Sequence, residues 1–188
     1  MPNHSQQGYF KNPDATRDTI DEQGWLHTGD IGVIDHDGFL QITDRKKELL
    51  ITAGGENVPP AILEGLLRNT SCIAQAVVIG DRMPFLSALV SLDIERLERE
   101  AGQCGATCGN DPVKAGQDKV FMDHLFKKIE TKVNSRLPQV QTIKKIAIIP
   151  ELTIDGGELT PTMKTKRRVV NEKYKDLIEK FYSDTNRE

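Results

Sequence analysis

The sequence predicts an α+β fold: a small β-hairpin subdomain over residues 1–46, then a compact domain over residues 47–188 with a central three-stranded sheet flanked by helices. Three observations predict it. Two β-prone runs, Gly32–Ile34 and Phe39–Ile42, flank Asp37-Gly38, and an Asp-Gly pair so placed is the strongest short-range hairpin signal. From Lys47 onward, extended apolar runs and helically spaced ones follow in the order strand, helix, strand, strand, helix, strand, helix. Glycine and proline clusters punctuate the joins.

Each element has its own warrant. Residues 1 to about 22 are polar; Asn12-Pro13-Asp14 reads as a turn, with Asp14 the cap of a short helix through Ile20. Glu48–Thr52 is a short apolar strand that ends at Gly54-Gly55. Pro59 and Pro60 suit a helix start, and Ile62, Leu63, Leu66 and Leu67 then share one helical face despite Gly65. Gln75–Gly80 and Phe85–Leu92 read as neighbouring strands, and Ile94–Ala101 as a short charged helix. Gly102–Gly116, rich in Gly, Cys and Asn, is expected to be the least ordered stretch. Val120, Phe121, Leu125, Ile129 and Val133 recur at helical spacing and predict an amphipathic helix over Asp118–Ser135, stopped by Pro138. Ile143–Ile149 is a strand, Ile154–Gly157 a turn and Leu159–Lys166 an exposed loop. A single helix, Val169–Tyr182, is expected last, burying Val169, Val170, Tyr174, Leu177, Ile178 and Phe181.

Hydrophobic residues make up 37% of the 188 and charged residues 28%, an ordinary globular balance. The formal net charge of −3 gives no whole-chain attraction to nucleic acid or an anionic membrane. No apolar run reaches transmembrane length, and Met1–Gln7 lacks the basic start and apolar centre of a signal peptide. A cytoplasmic location follows, at most peripheral to a membrane. Of the three cysteines, Cys72, Cys104 and Cys108, one is always left over from any pairing. A zinc site at Cys104 and Cys108 needs two further ligands, and His124 alone is weak support, so free thiols and no metal site are expected. His4, His27 and His36 show no metal spacing.

A hairpin folds its ends together, so Asp30 at the mouth of one strand and Arg45–Lys47 at the exit of the other line one cleft. On periodicity alone, a surface turn with solvated charges is the favoured reading.

Three motifs, in order, carry more information: Trp25-Leu26-His27-Thr28-Gly29-Asp30, then Thr43-Asp44-Arg45-Lys46-Lys47-Glu48-Leu49, then Ala53-Gly54-Gly55-Glu56-Asn57-Val58-Pro59-Pro60. Together they resemble the adenylate-forming (AMP-forming) acyl-CoA synthetases, most of all the long-chain fatty acid–CoA ligases of the bubblegum-type branch. The resemblance runs from about Gly8 to Tyr182. That family's phosphate loop and its Tyr-Gly-x-Thr-Glu-like motif are not in these residues, so only the carboxyl-terminal part of such an enzyme is matched. Residues 1–46 then correspond to the end of the large adenylation domain, and residues 47–188 to its mobile C-terminal lid.

The resemblance implies ATP, fatty acid and CoA as substrates, with Mg²⁺ on the phosphates, bound mainly by the N-terminal adenylation domain. It implies that Asp30 accepts hydrogen bonds from the nucleotide ribose and that Arg45 completes that contact. For Arg45 the plain alternative is an ion pair with Asp44 or Glu48. Lys47 matches the hinge about which the lid swings, an unremarkable surface lysine otherwise. Gly54 and Gly55, with Glu56 beside them, match the loop that lines the pantetheine tunnel. Ile51 departs from relatives that carry a lysine there, which puts a specific CoA contact in doubt. Leu159-Thr160-Pro161-Thr162-Met163-Lys164 resembles the catalytic loop, which makes Lys164 the catalytic cation and Lys166 the fallback. Alternatively, Lys164, Lys166, Arg167 and Arg168 form a basic patch that touches polyanions. A non-catalytic module that docks on a separately encoded adenylation partner is the other reading, and the fragment alone is expected to be inactive.

Overall fold

The structure, a computed structural model, describes residues 8–70 and 72–183, with the side chain of Asp44 outside the described ones. The signal-peptide reading of Met1–Gln7 therefore falls outside the described residues. The chain divides into two compact units, one ending at Glu48 and the other beginning at Leu49.

The first unit opens with helix α1 (Pro13–Thr19). Its cap is Asn12, not Asp14: Asn12 Oδ1 accepts the Ala15 N–H at 3.0 Å, and Pro13 fills the first helical position. Asp14 lies inside the first turn and pairs with Arg17. Strands β1 (Asp30–Ile34) and β2 (Leu40–Arg45) form the expected antiparallel hairpin, with Ile34 opposite Leu40 and Asp30 opposite Arg45. The connection is a tight turn in which Gly38 N–H donates to Asp35 O at 3.1 Å. The Asp35 carboxylate also accepts the Asp37 and Phe39 N–H groups, at 3.0 and 2.9 Å, so the turn is built by an aspartate as much as by the glycine.

The second unit begins with a two-stranded ribbon, β3 (Leu50–Ile51) and β4 (Asn57–Val58). The second of these strands was not legible in the sequence. Helix α2 (Pro60–Arg68) follows. A three-stranded sheet of β5 (Ile73–Ile79), β6 (Leu86–Leu92) and β7 (Ile143–Ile148) has β6 in the middle, antiparallel to β5 and parallel to β7. Helices α3 (Ile94–Cys104), α4 (Pro112–Gln117) and α5 (Lys119–Lys132) lie between β6 and β7 in the chain, and α6 (Arg167–Lys173) and α7 (Lys175–Ser183) end it.

The sheet is buried on both faces, which is why β5 and β6 read as continuous apolar runs with little alternation. Ala76, Val78, Ala88 and Val90 join a cluster with Leu63, Leu67, Leu97, Phe121, Leu125 and Ile129. Val77, Ile79 and Leu89 join another with Leu152, Leu159, Val170, Ile178 and Phe181. Free Cys72 and Cys108 are buried in this unit, and Cys104 is half-buried.

Three expectations are corrected. Residues 102–116 are not the loose stretch their composition suggests, since they hold the end of α3 and all but the last residue of α4. Carboxylates supply the order: Asp111 caps α4, and Asp118 accepts both Phe121 N–H, capping α5, and Thr107 N–H at 2.9 Å. Helix α5 itself stops at Lys132, before Pro138. The final helix is two helices, because Tyr174 leaves helical backbone geometry between them (φ −106°, ψ 21°). The expected apolar face survives the break, with Val170, Ile178 and Phe181 buried.

Candidate functional site

In the hairpin unit, cross-strand register alone brings Asp30 and Arg45 together. Arg45 Nε lies 3.2 Å from Asp30 Oδ1, and the two side chains are 63% and 29% exposed. Asp30 is thus one partner of Arg45. Thr28 Oγ1 accepts the Asp30 N–H at 3.1 Å, and Lys46 N–H donates to Gly29 O at 2.7 Å, which closes the mouth of the hairpin. A cleft of about 950 Å³ opens here, lined by Tyr9, His27, Thr28, Asp30, Arg45 and Lys47 among others. Its volume is in the range of small-molecule sites. Asp21 orders the approach to it: the carboxylate accepts Trp25 N–H at 2.8 Å and lies 3.1 Å from His27 Nε2. The Trp25 N–H bond first, then His27, hold the Asp21 carboxyl below its ordinary range.

Lys47 is the middle residue of a 3-10 turn, Lys46–Glu48, at whose end the first unit stops. Its side chain is exposed.

Gly54, Gly55 and Glu56 form the exposed tip between β3 and β4. Thr52 supports the tip, since its N–H donates to Glu56 O at 3.1 Å and its carbonyl accepts Gly55 N–H at 2.9 Å. A Cβ on Gly55 would meet nothing within 4 Å, but its φ of +80° favours glycine. The ribbon is clasped to the turn before β6 by Arg82 N–H to Ile51 O (2.7 Å) and Ala53 N–H to Met83 O (3.0 Å).

Lys164 lies on an exposed loop that its own backbone closes. Leu159 and Thr165 form an antiparallel bridge at the base. Thr160 N–H donates to Lys164 O at 2.8 Å, Lys164 N–H to Thr160 Oγ1 at 3.0 Å, and Met163 N–H to Thr160 O at 2.9 Å. Met163 takes a positive φ of 60° to complete the turn. The Lys164 amine is exposed and forms no ion pair among the described residues, and Lys166 is exposed too. Of the basic run, only Arg167 turns inward: its guanidinium donates to Glu64 Oε1 at 2.6 Å and to Val78 O at 3.1 Å.

Glu158, at the foot of the same loop, is buried and ion-paired with Lys173. Nothing in the sequence marks it beyond an acid between Gly157 and an apolar residue. No group of three or more His, Cys, Asp or Glu side chains able to hold a metal ion occurs among the described residues. No helix among them is long and apolar enough to cross a membrane.

Known proteins share this fold. A model of the AMP-binding enzyme C-terminal domain matches residues 47–186. The long-chain-fatty-acid–CoA ligase FadD15 of Mycobacterium tuberculosis is 44% identical over 184 residues, which are 94% of this chain and 29% of that protein. The ligase ACSBG2 of Gallus gallus is 38% identical over 97% of this chain and 26% of its own length. ACSBG1 of Rattus norvegicus is 39% identical over 94% and 27%. The chain thus spans less than a third of the relatives it matches. Among solved structures, the adenylation domain of the Mycobacterium chelonae carboxylate reductase superposes with a TM-score of 0.69 at 27% identity, over 94% of this chain and 26% of that one. The adenylation domain of the Segniliparus rugosus carboxylic acid reductase, solved with AMP and a carboxylic acid, shares the fold at a TM-score of 0.69 and 24% identity, over 95% and 26%. The family model spans nearly the whole of the second unit, and on that match the chain belongs to the AMP-binding enzyme C-terminal domain family.

Proposed function

We propose that this chain is the C-terminal portion of a long-chain fatty acid–CoA ligase, in which residues from Lys47 onward act as a mobile lid on an N-terminal adenylation domain. The observation that carries the reading is the Lys164 loop: an ordered, backbone-closed turn that holds an uncommitted ammonium in solvent. The names of the relatives supply the substrate class.

In the first half-reaction a fatty acid carboxylate oxygen attacks the α-phosphorus of ATP, forming acyl-AMP and releasing pyrophosphate. Two anions meet there, and a cation delivered between them lowers their repulsion and offsets charge that develops in the transition state. Lys164 supplies that charge. Arg45 fixes one oxygen of Asp30, whose other oxygen is free to accept from the ribose diol. Mg²⁺ would be held mainly by the adenylation domain and, when bound, would offset negative charge on the phosphates. In the second half-reaction the CoA sulfur attacks the acyl carbonyl and AMP leaves. The Gly54-Gly55 tip, with Glu56 at its edge, presents bare backbone to the pantetheine arm. Lys47, at the end of the first unit, is the pivot between the two stages.

The hairpin supports an N-terminal partner domain. Val33, Ile34, Phe39, Leu40 and Ile42 are all more than half exposed, an apolar surface that a preceding domain would cover. The deciding experiment is Lys164→Ala in a full-length enzyme. Adenylation, followed as pyrophosphate release, is expected to fall about 10²- to 10³-fold. Thioester formation from preformed acyl-AMP is expected to change little, and the reverse pattern would overturn the assignment.

A further inference from the structure

We propose that Glu158 is a positioning residue for adenylation: its buried carboxylate fixes the foot of the loop that carries Lys164. The inference rests on the reading of Lys164 given above.

The carboxylate has an unusual place for an acid beside an exposed loop. Its side chain is 2% exposed, although water lies a few residues away. Burying a charge is costly unless it is paired and hydrogen-bonded, and this one is both. Oε1 accepts from Lys173 Nζ on α6, and Oε2 accepts Thr153 N–H at 3.3 Å. The backbone of the same residue joins the two arms of the loop. Glu158 O accepts Lys166 N–H at 2.7 Å, and the next residue, Leu159, donates its N–H to Thr153 O at 3.1 Å. Leu159 itself is buried in the cluster beneath α6 and α7. The outgoing arm, the returning arm, the segment at Thr153 and helix α6 therefore meet at one residue, six positions before Lys164 in the chain.

The neighbouring turn is shaped around that carboxylate. A Cβ on Gly156 would overlap Glu158 Oε2 and lie 2.8 Å from Thr153 Oγ1. Thr153 Oγ1 meanwhile accepts Gly156 N–H at 2.8 Å, so the turn closes with the acid inside it. The Lys173 hydrogen bond, foremost among its contacts, holds the Glu158 carboxyl below the usual range, and Glu158 in turn raises Lys173. The pair therefore stays charged through neutral pH. Glu158 is too deeply buried to touch substrate, so it acts through the placement of Lys164. A misplacement of about 1 Å at a reacting group costs roughly 100-fold in rate, so a loosened foot is felt at the tip.

The test compares Glu158→Gln, Lys173→Gln and Lys164→Ala in a full-length ligase that contains this C-terminal portion, with ATP, palmitate and CoA. Expected for the first two variants is a roughly 10- to 100-fold fall in kcat for adenylation at unchanged KM for ATP. Thioester formation from preformed acyl-AMP should be retained, and because it needs the same domain folded, it serves as the control for structure. Lys173→Arg should restore most of the loss. In the 188-residue chain, at a temperature well below the unfolding midpoint of each protein, trypsin should cut after Lys164 several-fold faster in Glu158→Gln. Equal losses in both half-reactions would reduce Glu158 to a structural residue and overturn the inference. So would no loss from Glu158→Gln or Lys173→Gln alongside a large loss from Lys164→Ala. If Lys164→Ala itself leaves adenylation intact, the reading of Lys164 fails first and the inference falls with it.

Discussion

Replacing Arg167 by methionine isolates what the buried ion pair at the start of α6 contributes. Arg167 donates to Glu64 at 2.6 Å and to Val78 O at 3.1 Å, and the Glu64 and Arg167 side chains are 9% and 23% exposed. Breaking a buried pair by removing one partner costs about 3–5 kcal/mol, because the other charge stays behind. Glu64 keeps the Val78 N–H at 2.9 Å and the charge of Arg68, and Arg167 is partly wet, so the lower end applies. The expected loss is about 3 kcal/mol, a large share of the roughly 5–15 kcal/mol that holds a domain together. In urea this lowers the unfolding midpoint by about 1–3 M, for a slope of about 1–3 kcal/mol/M. Protonation adds a second signature. Burial pushes the Glu64 carboxyl up while Arg167 pulls it down, so the variant carboxyl rises further. A carboxyl with a raised folded-state value stabilises below its unfolded value, and that stabilisation is lost as pH rises through the folded one. The deficit relative to the unsubstituted chain must therefore be smaller at pH 5 than at pH 8. A loss under about 1 kcal/mol at pH 8, or an equal loss at both values, would refute the reasoning.

Other expectations follow from the same structure. At pH 8 a thiol reagent should titrate half-buried Cys104 quickly, and Cys72 and Cys108 only after unfolding. Burial pushes Cys72 up to about 11 and raises Cys108 too, and two or three fast thiols would contradict this. Phe121→Ala should cost about 3–5 kcal/mol, read by urea unfolding, because Phe121 is fully buried at the centre of the core beneath α5. Asp118→Ala should speed amide exchange at Thr107 and Phe121 together, since one carboxylate holds both. The Thr107 bond foremost depresses the Asp118 carboxyl, so its contribution is present above the ordinary carboxylate range and lost as pH falls through the folded value. Incubated with ATP, palmitate and CoA, the 188-residue chain alone should form no acyl-CoA, and robust turnover would refute its incompleteness.

The elements that were legible in the sequence are those whose signal is local. The Asp37-Gly38 turn, the paired apolar runs of β5 and β6 and the spacing of α5 each declare themselves within a dozen residues. The Asp30–Arg45 juxtaposition was legible too, because hairpin register is a short-range property. What escaped depended on distant partners. Residues 102–116 look loose by composition, yet Asp118 reaches eleven residues back to hold Thr107. Glu64 and Arg167 are 103 positions apart, and neither differs in the sequence from any solvated charge. Glu158 was hidden for the same reason, since an acid next to glycines reads as a surface turn until the fold places Lys173 over it.

A contrast between the two kinds of cation in this chain bears on the lid reading. Arg167 and Lys173 are consumed by buried or near-buried carboxylates and fix α6 to the sheet and to the foot of the loop. Lys164, between two anchored segments, is left in water on a turn stiffened by its own backbone and by a strained Met163. A loop selected only for solubility has no need of such anchoring, because a solvated lysine works equally well on a floppy chain. Ordering a backbone costs about 1–2 kcal/mol per residue, and that expense makes sense where the position of the charge matters. The anchors of the Lys164 loop are therefore the places where a substitution should lower adenylation without altering the lysine itself.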